Sequence, residues 1–188
     1  MRDVTEARLM LECEAAELAA RRADSDDVLA LERMLDQLER AETRVDRIRR
    51  DLAFHMTIAS ATHNPVIKTM LAAIARLSVE VMVGSREDIE TRHTTDQYHR
   101  EAVQAIRARD PGSARRAIRS HQTVARSAYG PDYDQGLDTV ALRGLRALGY
   151  SDIQSFMETV FGSDQPSDAL GLDISEPQGA DHLRMPPP

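Results

Sequence analysis

The first 130 residues carry repeated signals for the start of a helix, and no other feature limits the fold as strongly. Asn64-Pro65 and Asp110-Pro111 each combine a side chain that caps a helix with a proline suited to the first helical turn. Between such signals the apolar residues recur every three or four positions, as they do on one face of an α-helix. The pattern predicts an all-α protein.

Six helices are predicted before Gly130 from the caps and the apolar periodicity. The first is apolar on two sides, so we expect it to lie at the centre of the fold. The stretch Asp24-Ser25-Asp26-Asp27 is expected to supply the cap and first-turn acids of the second, and a capping box of Thr94 and Gln97 is expected to open the fifth. The predicted helices cover about residues 3–22, 25–42, 43–61, 65 onward with a bend near 84, 94 onward, and 111–129.

Composition limits the class of protein. The chain has 188 residues, with 41% hydrophobic and 29% charged, which is ordinary for one water-soluble domain. Cys13 has no second cysteine to pair with, and neither a signal peptide nor a membrane-spanning run is found, so a cytoplasmic location is expected. Residues 1–130 contain 21 acidic and 21 basic residues, and this balance argues against direct contact with nucleic acid.

Four residues with metal-binding side chains fall on apolar helix faces. Asp51 and His55 are four residues apart and therefore share one face, while His99 and His121 precede or interrupt apolar stripes on two other predicted helices. Neutral imidazole and carboxylate together suit a divalent ion, with zinc placed first and nickel, manganese and iron as alternatives. The spacing predicts that these four residues meet at a metal site.

The alternative is that these side chains only satisfy one another in the core. A buried histidine is commonly bonded to a carbonyl or a carboxylate, and Asp51 with His55 could form such a pair. The other three histidines, His63, His93 and His182, lie outside the apolar stripes and are predicted not to be ligands.

An arginine run in the third predicted helix and a single arginine in the first are interpreted separately. The run from Arg40 to Arg50 is interleaved with acids, and we predict that it forms a solvated face. Arg8 lies among apolar residues, where it could pair with Glu12 one turn later. Alternatively, Arg8 could line a cavity and bind a carboxylate of a ligand through both ends of its guanidinium.

The order and spacing of several motifs resemble the effector-binding domain, of the FCD type, of FadR-subfamily GntR transcriptional regulators. The resemblance covers about residues 2–129. It is carried by Arg8-Leu9-Met10-Leu11-Glu12 with Ala19-Ala20, Asp51-Leu52-Ala53-Phe54-His55, His63-Asn64-Pro65, the stretch from His99 through Ala105-Ile106 to Asp110, and His121.

The resemblance implies an antiparallel bundle of six to seven helices that dimerises and encloses a cavity. By its motif, a divalent metal would be held by Asp51, His55, His99 and His121, and it would anchor a small carboxylate effector that Arg8 faces. Homodimers are expected, or heterodimers with a full-length regulator. No contact with a membrane is expected.

Two features depart from the family pattern. Regulators of this type carry a DNA-binding winged helix-turn-helix ahead of the domain, and we expect this chain to lack it. The composition also changes at Gly130. We predict a helical bundle over residues 1–130, an extra helical segment over 131–162 with a cap at Ser151, and a disordered tail over 163–188.

Three functions are consistent with these sequence features. The first is a ligand-sensing domain without catalytic residues, in which binding changes helix packing. The second is a metal-dependent enzyme acting on a small carboxylate or sugar acid, although no inward acid or base remains once Asp51 is used. The third is a helical dimerisation module that the metal only stabilises.

Overall fold

A computed structural model of the chain describes residues 1–85 and 88–161, and every regular element in these ranges is helical. The all-α prediction is confirmed. The elements are α1 (Arg2–Arg22), α2 (Ser25–Glu39), α3 (Arg44–Ser60), α4 (Pro65–Ala73), α5 (Ala75–Gly84), α6 (Ile89–Arg107), α7 (Pro111–Ser127), a short 3₁₀ turn (Gly130–Asp134), α8 (Leu137–Ala147) and α9 (Ile153–Phe161).

The predicted caps at three helix starts are confirmed. Asp24 accepts hydrogen bonds from the backbone N–H groups of Asp26 and Asp27, and the Asp27 side chain accepts one from the Asp24 N–H. Asn64 and Asp110 cap α4 and α7 in the same way, each followed by a proline. A side-chain cap of this kind contributes about 1 kcal/mol.

Other predicted helix starts and bends are wrong. The bend falls at Ile74, where α4 ends and α5 begins, rather than near Gly84. Helix α6 opens five residues before Thr94, because Asp88 accepts a hydrogen bond from the Thr91 N–H and caps an earlier turn.

The start of α9 also differs from the prediction at Ser151. The side chain of Asp152 accepts a hydrogen bond from the backbone N–H of Ser155, and it is therefore the cap.

Helix α1 lies at the centre of the fold, as predicted, and contacts α3, α4, α5, α6 and α7. Its second half is lined by alanines, including Ala15, Ala16 and Ala19, all fully buried. Small side chains let the surrounding helices approach closely. The main core also contains Leu31, Phe54 and Ile118, none of which is exposed.

Helices α8 and α9 pack on α5 and α3 and share a second apolar cluster with them. The approach of α8 to α5 requires glycine. A Cβ atom on Gly144 would lie 2.8 Å from the carbonyl carbon of Val83, and one on Gly84 would lie 2.5 Å from the Cγ1 atom of Val140. The division of the chain at Gly130 stays a prediction, and the predicted tail over 163–188 lies outside the described residues.

None of the described helices has the length and apolarity needed to cross a lipid bilayer.

Candidate metal centre

The structure brings the four predicted ligand residues together. Asp51 and His55 lie one turn apart on α3, His99 lies on α6 and His121 on α7. All four are buried, and each offers a ligand atom within 4.8 Å of the others. The Nε2 atom of His55 is 3.8 Å from the Asp51 Oδ2 atom, and the Nε2 atom of His99 is 3.5 Å from Oδ1.

Helix geometry explains why His99 and His121 meet although 22 residues separate them. Helices α6 and α7 pack side by side and are joined by a tight turn in which Arg109 has a φ of 54°. His99 lies about 12 Å before the end of α6, and His121 about 15 Å after the start of α7. The two rings therefore lie at a similar level along the paired helices, with centroids 4.2 Å apart.

Most ring nitrogens of this cluster have no hydrogen-bond partner among the described residues. Within the described part of the chain, five buried ring nitrogens make no hydrogen bond: both of His55, both of His99 and the Nδ1 atom of His121. A buried polar atom left unpaired costs about 1–3 kcal/mol. The separation of 3.8 Å between Asp51 and His55 is too long for a hydrogen bond, so this pair does not satisfy itself.

The electrostatics of the cluster favour neutral imidazoles at His99 and His121 beside an ionised carboxylate. Burial holds the pKa of His99 and that of His121 well below the ordinary histidine value. Burial alone would raise the pKa of Asp51, but the surrounding groups that can carry positive charge, His55, His121 and the guanidinium groups of Arg8 and Arg47, outweigh it, and the pKa is lowered. These are the protonation states in which such side chains bind a metal ion.

Arg8 takes part in the salt pair considered above and also lines a cavity. Its Nε atom donates to Glu12 Oε1 at 2.8 Å, and both side chains are 4% exposed. The pKa of Arg8 is raised, since the charges of Glu12 and Asp51 outweigh the opposing effect of burial. The cavity reaches Asp51 and His121, so the arginine stands beside the cluster.

The cavity itself is small and rich in arginine. Its volume is about 50 Å³, and since an enclosed water needs about 10–15 Å³, it suits a ligand of few heavy atoms. Arg8, Arg44 and Arg47 line it together with Asp51, His121 and the ring of Tyr129. Such a lining favours a small anion.

The prediction that the run from Arg40 to Arg50 is a solvated face is wrong for Arg47. This side chain is buried, donates to Asp96 Oδ1 at 2.7 Å and lines the cavity. A signal was present in the sequence, because Arg47 lies one turn before Asp51 on the same inward face of α3.

The remaining histidines lie apart from the cluster. His63 is half exposed and lies 2.6 Å from Asp27, and His93 is exposed on α6. His182 lies outside the described residues.

Comparison with known proteins identifies the family. Residues 3–123 match the model of the FCD domain. The chain belongs to the FCD domain family. The resemblance seen in the sequence to FCD-type domains of GntR regulators is therefore confirmed, and all four residues of the buried cluster fall within the matched FCD region.

Several relatives of this FCD domain carry regulatory names. It is 26% identical over 138 residues to the Glc operon transcriptional activator of Escherichia coli strain K12, covering 68% of this chain and 54% of that protein. It is 30% identical over 117 residues to the transcriptional repressor NanR of Cronobacter sakazakii, covering 61% and 45%.

A third relative is an uncharacterized HTH-type regulator, YcbG, of Bacillus subtilis strain 168, 26% identical over 123 residues, covering 65% and 52%. The chain thus spans about half the length of these relatives. All three are named as transcriptional regulators, which agrees with the prediction of a non-catalytic domain and argues against the enzyme hypothesis.

Proposed function

We propose that this FCD domain is the effector-sensing part of a transcriptional regulator, and that Asp51, His55, His99 and His121 hold one divalent metal ion. The observation that carries the proposal is the group of five buried ring nitrogens without hydrogen bonds around an ionised carboxylate. Three imidazoles and one carboxylate suit zinc, nickel, manganese or iron.

The effector in this proposal is a small carboxylate. A bound divalent ion would supply positive charge and coordination positions for a carboxylate oxygen. Arg8 lines the same cavity as Asp51 and His121, and its guanidinium is suited to bind the carboxylate through two N–H groups. The cavity volume of about 50 Å³ favours a compact acid over a sugar of many carbons.

Ligand binding would act by joining helices that meet at the cavity. The cluster and Arg8 come from α1, α3, α6 and α7, so a bound metal and carboxylate would restrain all four against one another. A change in their packing is the signal that a bacterial regulator in the cytoplasm would read, in a homodimer or in a heterodimer with a full-length regulator.

Calorimetry on zinc-loaded protein with a panel of two- to six-carbon carboxylic acids tests this function. At least one acid is expected to bind the zinc-loaded protein and not the zinc-free protein. An Arg8→Met variant should keep the zinc and lose the acid, while Arg107→Met, a matched change at an exposed arginine, should lose neither. Zinc-loaded protein that binds none of the acids would contradict the effector role.

The dimerisation module keeps one supporting observation, since a metal at this cluster would join three helices whatever its further role. It predicts a large gain in thermal stability with zinc and no further change with any acid. The same calorimetric panel therefore separates the two functions.

A further inference from the structure

We propose that Glu12 is a positioning residue that orients His55 for the metal and Arg8 for the carboxylate, and so couples the two binding events. The inference rests on the function proposed above. It concerns a residue that the sequence linked only to Arg8, through a salt pair.

Glu12 lies on α1 and contacts both partners with different oxygens. Its Oε1 atom accepts a hydrogen bond of 2.8 Å from the Nε atom of Arg8. Its Oε2 atom lies 3.2 Å from the Nδ1 atom of His55 on α3. The Nε2 atom of Gln122, which follows His121 on α7, donates to the same Oε2 atom. The carboxylate is therefore fixed among three helices.

The two ring nitrogens of His55 face two different carboxylates. Nε2 is directed to Asp51, at 3.8 Å, and Nδ1 to Glu12, at 3.2 Å. An imidazole that binds a metal through Nε2 must carry its proton on Nδ1, and that proton needs an acceptor. Glu12 is the carboxylate within reach: its contact with Nδ1, at 3.2 Å, is not a hydrogen bond as the ring lies, and it would become one after a small rotation of the ring. A carboxylate behind a metal-binding histidine fixes the ring and raises its basicity.

The same carboxylate restrains the arginine that lines the cavity. A ligand that binds Arg8 would shift the Arg8 side chain, whose Nε atom donates to Glu12. The Glu12 carboxylate would move with it and change the position of the His55 ring. Metal and carboxylate would then alter each other's affinity by the same factor, as linkage requires.

The competing explanation is that Glu12 only neutralises the buried charge of Arg8. A Glu12→Gln change alone cannot separate the two roles, because it leaves a buried guanidinium without its counter-charge and endangers folding. The double variant Arg8→Met/Glu12→Gln avoids this, since both charges leave together. Its reference is Arg8→Met, in which the Gln122 amide still donates to the Glu12 carboxylate and the bound zinc supplies the opposite charge. Glu14→Gln, two residues away at an exposed position of α1, is the matched control.

Zinc affinity, measured by competition with a chromogenic chelator, is the first readout. Arg8→Met and Glu14→Gln are expected to bind zinc much as the unaltered chain does. Arg8→Met/Glu12→Gln is expected to bind it about 10- to 100-fold more weakly than Arg8→Met. A purely neutralising Glu12 predicts equal affinities for Arg8→Met and the double variant.

The ¹⁵N NMR spectrum of the His55 ring gives a second readout that folding alone would not alter. Zinc-free Arg8→Met should show the ring proton of His55 mainly on Nδ1, beside Glu12, and the zinc-free double variant should lose this preference. If the unaltered chain binds no zinc, the proposed function fails and this inference fails with it. If it binds zinc while the double variant matches Arg8→Met in affinity and ring spectrum, only the role of Glu12 is overturned.

Discussion

Replacing Gly144 with alanine tests the close contact that fastens α8 to α5. The new Cβ atom would lie 2.8 Å from the carbonyl carbon of Val83 and 2.9 Å from its Cγ1 atom, whereas ordinary contacts begin at 3.4 Å. The carbonyl carbon and oxygen of Val83 both clash and both belong to the backbone, so a side-chain rotation cannot relieve the overlap. Helix α8 must move away by more than half an ångström.

The expected loss of stability follows from two opposing effects. Overpacking costs about 1–3 kcal/mol, and a clash with backbone belongs at the upper end. Alanine in a helix recovers about 1 kcal/mol relative to glycine. The net loss should be about 2 kcal/mol, or about 4–8 °C in melting temperature for a chain of this size.

Urea and thermal unfolding followed by circular dichroism measure this loss. Gly136→Ala is the matched control, because Gly136 is exposed and its Cβ atom would meet only the Thr139 hydroxyl, at 3.9 Å. Gly136 is the N-cap of α8, where alanine is less favourable than glycine, so the control should cost no more than about 1 kcal/mol. Equal stability of Gly144→Ala and Gly136→Ala would refute the close approach of α8 to α5.

Three further predictions concern the core and the site. Phe54→Ala should lower the free energy of unfolding in urea by about 3–5 kcal/mol, because the ring is fully buried. A loss below about 1 kcal/mol, typical of a surface substitution, would place the ring outside the core. Asp96→Leu should destabilise by about 3–5 kcal/mol, since it removes the carboxylate that pairs with the buried guanidinium of Arg47. Adding Arg47→Met should recover much of that loss, and no recovery would argue against the pair. Metal-free protein should lose stability as the pH falls from about 7 to about 5. Histidines of the unfolded chain bind protons near pH 6.5, whereas the pKa values of buried His99 and His121 are lowered, so protonation favours the unfolded state. A urea midpoint that stays constant over this range would contradict the lowered pKa values.

Local signals in the sequence predict much of the fold. The caps at Asp24, Asn64 and Asp110 act on backbone groups two or three residues away, so their effect can be read without a tertiary structure. The break at Ile74 has no such signal, since neither glycine nor proline marks it. It depends on how α4 and α5 pack against the rest of the bundle.

The site shows the same division between local and tertiary information. The four clustered side chains share the inward phase of their helices, and helical spacing alone predicts that each points to the core. Arg47 has the same inward phase, but the charged residues on either side of it indicated a solvated face instead. The contact of Glu12 with His55 joins α1 to α3, and no spacing along one helix could reveal it.

Elemental analysis by plasma mass spectrometry would detect a divalent ion held at the buried histidine cluster. The protein is purified without chelator or a histidine tag, beside His121→Ala and a control, His93→Ala, at an exposed histidine of α6. We expect about one equivalent of divalent metal per chain, retained in His93→Ala and lost in His121→Ala. No metal in any of them, even after incubation with zinc, nickel and manganese, would contradict the proposed metal site.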